Sequence, residues 1–248
     1  MKRLTILLVP ILLAAVPVGA EVIEPKSEYR ACLALARQKP DDGWEEAIAW
    51  QSLGGGEPAR HCAAVALIGL GKYAEAAKRL EALASQSHSS GGLRAEMLAQ
   101  AGQAWLLAGD AVKALAAQDT GLKLVPGSPD LLLDKAVTLA GVGHYQEVVE
   151  VLTSLLKSQP NRIEAMTLRA SAYRYLDKLD LAKDDIARAL VLDPSFGDAL
   201  LERGMLRRLE DNAAGAREDW MKTITLAPDS PAADTARRNL EILDVKVK

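Results

Sequence analysis

The sequence predicts an all-α fold, a stack of helix pairs, from three observations. Pro126, Pro160, Pro194 and Pro228 stand 34 residues apart, and a fixed spacing of that size marks a supersecondary unit repeated along the chain. A second series, Gly102, Ala136, Ala170 and Gly204, keeps the same spacing, and Ala114, Val148, Ala182 and Ala216 follow it by twelve residues. Within each interval apolar residues fall three and four apart in two runs, as a helix with one buried face requires.

The first twenty residues read as a leader. Lys2 and Arg3 give a basic start, residues 4–18 are mostly apolar, and Val18, Gly19 and Ala20 put small or short residues before a cut that makes Glu21 the first mature residue. The apolar run is shorter than the roughly 17 to 25 residues of a bilayer-spanning helix, and Pro10 and Pro17 interrupt it; an uncleaved anchor is the alternative. No later run reaches that length, so no membrane insertion is expected after cleavage. The expected location is across the inner membrane, in the periplasm.

Losing the charges of Lys2 and Arg3 takes the formal net charge from −3 to −5. Such a chain has no basic surplus to draw nucleic acid. The remaining 228 residues hold between six and seven units of 34, which suits one continuous stack over 21–248 with covered ends.

Taken in order, Ser27–Lys39 and Trp44–Leu53 form a short first helix pair closed by Gly54, Gly55 and Gly56, an irregular unit over 27–56. The second unit, 57–94, carries Ala64, Leu67, Gly71, Tyr73, Ala76, Leu80 and Leu83; the step from Ala64 to Gly102 is 38 residues, and the Ser-rich stretch 85–92 is expected to absorb the extra four as a loop. Regular units follow over 95–128, 129–162, 163–196 and 197–230. In the first of them Leu98, Ala101, Gly102 and Trp105 share one face, Gly109-Asp110 breaks the helix, and a second helix runs to Pro126, whose ring cannot continue it. A final helix over 231–243 caps the stack, with Arg237, Arg238 and Glu241 on its wet side.

With these residues in view, the chain resembles the tetratricopeptide repeat family, whose unit places a large, a leucine-like, a small and an aromatic residue before Ala, an aromatic and Pro. The matching sets are Leu98, Ala101, Gly102, Trp105, Ala114 and Pro126; Leu132, Ala136, Leu139, Tyr145, Leu152 and Pro160; Met166, Ala170, Tyr173, Ala182, Ile186 and Pro194; and Leu200, Gly204, Ala216, Trp220 and Pro228. Lys135, Arg169 and Arg203 depart from it where the family favours leucine, and Arg207 where it favours an aromatic. The resemblance implies a right-handed α-solenoid.

Cys32 and Cys62 are the only cysteines. They occupy matching places on first helices of consecutive units, which run side by side in a stack. A disulfide is expected, because an exported chain meets an oxidising compartment; two buried free thiols are the alternative. A metal site built on Cys32, Cys62 and His61 lacks a fourth ligand, and adjacent helical residues point apart.

No catalytic arrangement emerges, so the chain is expected not to be an enzyme and to need no cofactor. His61, His88 and His144 are the only histidines, and no His-Glu-x-x-His occurs. Gly69-Leu70-Gly71-Lys72 fails as a phosphate loop, with Ala66 in place of the first glycine and Tyr73 in place of Ser or Thr. Asp184, Asp185, Glu218 and Asp219 are expected on the wet faces of second helices.

The family resemblance implies a concave groove lined by first helices and used to hold segments of other proteins. Through the register, its partner-binding residues are Gln103, Leu107, Leu133, Val137, Ser171, Arg174, Tyr175, Leu201, Met205 and Arg208. Arg174 and Arg208 are expected to offer two cations beside Tyr175, the alternative being that they pair with acids such as Asp177 or Glu202. The family's chaperone-tail binders clamp a carboxylate with Lys and Asn; His61, Val65, Ala99, Gln103, Leu133 and Val137 stand at those places here, so that clamp is absent. The expectation is a non-enzymatic protein-binding scaffold, with a permanent structural subunit of an envelope assembly as the alternative.

Overall fold

The computed structural model describes residues 25–245. The leader reading of residues 1–20 lies outside them. Thirteen helices fill the described residues: α1 Pro25–Gln38, α2 Pro40–Ser52, α3 Gly56–Gly69, α4 Tyr73–Gln86, α5 Gly91–Leu107, α6 Ala111–Leu124, α7 Pro129–Gly141, α8 Tyr145–Ser158, α9 Ile163–Tyr175, α10 Leu179–Leu192, α11 Gly197–Leu209, α12 Ala213–Leu226 and α13 Pro231–Val245. Each helix packs on the next, and first helices also touch along the stack, α5 on α7, α7 on α9, α9 on α11 and α11 on α13. From α5 to α13 the first helices thereby form a continuous inner layer.

Two turn types alternate in the 34-residue register. Gly109, Gly143, Asp177 and Asp211 adopt left-handed backbone with φ of 79°, 78°, 57° and 57°. In each case the following N–H bonds back five residues, as Asp110 to the Trp105 carbonyl and Lys178 to the Tyr173 carbonyl, which closes the first helix. Aspartate tolerates this conformation better than most side chains, so the last two units keep the turn without glycine. Second helices end at Leu124, Ser158, Leu192 and Leu226, each two residues before its proline.

The Ser-rich stretch 85–92 is not the expected loop. Helix α4 runs to Gln86 and α5 starts at Gly91, and α5 has 17 residues against 13 or 14 in the other first helices of the stack. The four inserted residues thus form an added turn of α5. Ser90 caps that turn by accepting from the Leu93 N–H, Arg94 Nε donates to the Ala84 carbonyl, and the Ser87 and Ser89 hydroxyls both donate to Glu57. The Ser90 bond satisfies an orphan N–H of the new helix start, the Arg94 bond an orphan carbonyl at the end of α4, and the Glu57 bonds fix the connection between them, which offsets the poor helix propensity of Gly91 and Gly92.

The core is a line of clusters along the stack, built where alanines let helices approach. Ala136, Ala170, Ala182, Leu152 and Ile186 belong to the largest, and Trp220 with Ala216 and Ala236 anchors the last. Cys32 and Cys62 form a disulfide between α1 and α3, with Cα atoms 6.1 Å apart, so the irregular first unit is tied covalently to the stack. The bond closes 30 residues, for which chain-entropy reasoning gives about 3 to 4 kcal/mol. Cys32→Ser/Cys62→Ser should lose up to that amount in urea unfolding, and the untreated protein should show no free thiol by mass spectrometry. Two free thiols would refute the bond.

Next to the disulfide, His61 is buried, with Nδ1 2.7 Å from the Tyr29 hydroxyl and Nε2 2.9 Å from Gln100 Oε1. A neutral ring meets both partners, donating to Gln100 and accepting from Tyr29. Burial pushes its pKa below the ordinary 6.5. The unfolded chain therefore takes up a proton first, and stability present at neutral pH falls as pH drops below the unfolded value. Urea midpoints between pH 7 and 5 should fall more steeply in the native protein than in His61→Asn. Parallel slopes would show that His61 is not linked to folding.

Candidate functional site

The inner layer carries a cleft of about 380 Å³ where α7, α9 and α11 meet. Leu133 and Val137 come from α7, Thr167, Leu168 and Ser171 from α9, and Leu201 from α11, with Phe196 at the α11 N-cap. Helical spacing makes this a surface. Residues four apart on α7, and again on α9, point to one side, while parallel packing of the three helices sets those sides next to one another. Glu164, Asp198 and Glu202 complete the lining.

The expected groove residues fall into different surroundings. Leu133, Val137, Ser171 and Leu201 meet in the cleft. Gln103 is exposed, and its amide donates to Asp134 Oδ2 at 3.1 Å, joining α5 to α7. Leu107 lies 58% exposed at the end of α5. Met205 is half-buried against the Trp220 cluster and Leu201 packs there too.

Arg174 follows the second of the two readings. Its Nε donates to Glu202 Oε1 at 2.5 Å and its Nη2 to Oε2 at 3.3 Å, with the charge lying 4.4 Å from the Tyr175 ring centre. Burial opposes its charge, but the bond and attraction to Glu202 outweigh that and raise its pKa. Its cation is therefore neutralised within the groove wall. Tyr175 stacks on Tyr145, with centroids 4.2 Å apart. Arg208 is half-buried on α11 without an ion pair to any described residue, because the place Glu202 takes for Arg174 is filled one register later by Ala236.

Asp185 and Asp219 correct the expectation of wet carboxylates. They are 3% and 1% exposed, whereas Asp184 and Glu218 stay in solvent. Arg169 forks onto Asp185 with two bonds of 2.7 Å, and Arg203 holds Asp219 at 2.9 and 2.6 Å. The charges that replace the family's leucine at Arg169 and Arg203 are matched by acids sixteen residues later. Lys135 finds Asp119 sixteen residues earlier, at 2.6 Å. Fork geometry of this kind is the strong form of a charge-assisted bond.

Glu164, Thr167, Leu168, Phe196, Asp198 and Glu202 are cleft residues that the register did not select. One signal was available: Glu96, Asp130, Glu164 and Asp198 stand 34 apart like the prolines. Asp198 has no ion pair or hydrogen bond to the described residues, and burial raises its pKa; burial also raises that of Asp134. Thr167 is 8% exposed, and its hydroxyl has no hydrogen-bond partner among the described residues. Among the same residues, no group of three His, Cys, Asp or Glu is placed to hold a metal ion, and no helix is long and apolar enough to cross a membrane.

The family model of the tetratricopeptide repeat matches residues 63–129 and 167–231, more than half of the chain. The chain belongs to the tetratricopeptide repeat family. Its helices form the right-handed α-solenoid that the resemblance implies. RNA polymerase II-associated protein 3 of Rattus norvegicus is 32% identical over 99 residues, 40% of this chain and 15% of that protein. DnaJ protein P58IPK homolog A of Oryza sativa subsp. japonica is 31% identical over 117 residues, 41% of this chain and 25% of that protein. This tetratricopeptide chain thus spans a quarter or less of the length of those relatives.

Solved structures share the fold at lower identity. A tetratricopeptide repeat protein from Parabacteroides merdae superposes with a TM-score of 0.66 at 16% identity, covering 90% of this chain and 86% of its own. MamA of Desulfovibrio magneticus RS-1 gives 0.57 at 22%, covering 75% and 97%. YrrB, described as a tetratricopeptide repeat protein with an unusual peptide-binding site, gives 0.54 at 18%, covering 77% and 96%.

Proposed function

We propose that this protein is a non-enzymatic scaffold of the periplasm that holds a segment of a partner protein in its concave groove. The cleft between α7, α9 and α11 carries the reading: solvent-accessible apolar side chains and a few polar groups converge on one concave surface, the usual form of a binding site. Solenoids of this family present such a surface because stacked units curve. The leader reading and the Cys32–Cys62 bond support an oxidising compartment. The peptide-binding site of YrrB, a protein of the same fold, adds support for a peptide segment as the occupant.

The test is site-specific photocrosslinking in the native host. A photoreactive residue at Val137, in the cleft, should capture a partner, whereas one at Val191, 81% exposed on α10, should not. Capture from Val191 alone would move the binding face to the second helices and refute the groove reading.

A further inference from the structure

We propose that the α7–α9–α11 cleft takes a cationic amphipathic peptide segment, seating an apolar side chain on its floor and a lysine or arginine against its acidic wall. The inference rests on the reading of the groove as the partner-binding surface and names what that partner must present.

Charge gives the first argument. The cleft is lined by three carboxylates, Glu164, Asp198 and Glu202, and two guanidiniums beside it, Arg162 and Arg174, pair with two of them. Arg162 is divided between Asp130 and Glu164, at 3.0 and 3.1 Å, and Arg174 is used by Glu202. Asp198 is left with no counter-ion among the described residues. An acid in the first turn of a helix is favoured by the helix dipole, which accounts for Asp130, Glu164 and Asp198 as helix starts. It does not account for a cleft whose carboxylates outnumber its cations.

Thr167 gives the second. Its side chain is more than nine-tenths buried, lines the same cleft and makes no hydrogen bond to the described residues. A buried hydroxyl normally finds a partner, because removal from water without one is unfavourable. With almost none of its oxygen open to solvent, Thr167 gains such a partner, an ammonium, a guanidinium or a backbone amide, only when a bound segment displaces the side chains over it. The third argument is the floor, where Leu133, Val137, Leu168, Phe196 and Leu201 leave Val137 44% exposed. A volume of about 380 Å³ is at the small end of ligand sites, which suits inserted side chains. The polarity is opposite to that of a carboxylate clamp, since the lining acids select a cation and Leu133 and Val137 offer no donor.

The experiment uses protein purified from its native compartment and three fluorescent 16-residue peptides, of alternating helical Leu/Lys, Leu/Glu and Ser/Lys pattern. Anisotropy at 0.15 M salt should show binding of the Leu/Lys peptide, with the other two about tenfold weaker or more. Asp198→Asn and Thr167→Val should each weaken the Leu/Lys peptide severalfold with unchanged thermal melting, while Asp184→Asn, an exposed acid on α10, should not. Equal binding of the Leu/Lys and Leu/Glu peptides, or equal effects of Asp198→Asn and Asp184→Asn, overturns the proposal. Should the Leu/Lys peptide fail while Val137 still crosslinks the native partner, the cationic inference falls and the groove reading stands. Loss of both removes the two together.

Discussion

Trp220→Ala is expected to destabilise the C-terminal end of the stack by about 3 to 5 kcal/mol, the range for deleting a fully buried aromatic. The indole is 0% exposed, and its Nε1 donates to the Leu201 carbonyl at 3.2 Å. It lies against Gly204, where an added Cβ would stand 2.3 Å from Nε1 and 2.7 Å from Cδ1. Register explains why this site needs glycine. The paired positions read Gly102 with Gln118, Ala136 with Leu152, Ala170 with Ile186 and Gly204 with Trp220, so Trp220, the largest of the four, stands against a residue with no side chain. Gly204→Ala should therefore also destabilise, from the opposite side of the same contact.

The loss should be local, because each unit of a solenoid contacts only its neighbours. Amide exchange should rise across α11, α12 and α13 and stay near native in α5 to α8. A uniform rise over the whole stack would show all-or-none unfolding, with the melting temperature falling about 2 to 4 °C per kcal/mol. A change below about 1 kcal/mol, well under the range for such a deletion, would mean that the indole does not hold the last units together.

The period was legible in the sequence because it rests on single positions. The proline series marked the ends of second helices to within two residues, and Gly109-Asp110 marked the turn of the first regular unit. Neighbouring charged residues were not legible. Asp184 and Asp185 look alike as letters, but one residue is a turn of about 100° on a helix, enough to put one in solvent and the other under Arg169. What decides the difference is a partner sixteen residues away on another helix. The added turn of α5 was hidden for a related reason: Ser and Gly read as loop until their surroundings are known, Glu57 under the Ser87 and Ser89 hydroxyls and Arg94 on the Ala84 carbonyl. In the cleft, Leu133, Val137 and Leu201 followed from the family register and Leu168 and Phe196 did not, while Thr167 and Asp198 gained meaning only when their lack of partners could be seen.

Restoring the family's preferred leucine at position 169 should harm this protein. Arg169 donates twice to Asp185 and a third time, through Nη1 at 3.0 Å, to the Thr153 hydroxyl on α8. Its side chain is 13% exposed and that of Asp185 only 5%. Arg169→Leu leaves a buried carboxylate whose next cation is the largely exposed Arg188, 3.9 Å away. Breaking a buried pair from one side is expected to lower stability by about 3 to 5 kcal/mol. Replacing both partners should not, since well-packed apolar side chains in place of a buried pair are often neutral or stabilising. Arg169→Leu/Asp185→Leu should thus recover most of the loss in urea unfolding, giving a favourable coupling that a double-mutant cycle reads directly. If the double variant stays as unstable as the single one, the bond to Thr153 and the volume of the guanidinium are what hold α8, α9 and α10 in place. If Arg169→Leu alone matches the native protein, the Asp185 carboxylate does not depend on this pair, and the charges at positions 135 and 203 lose the same explanation.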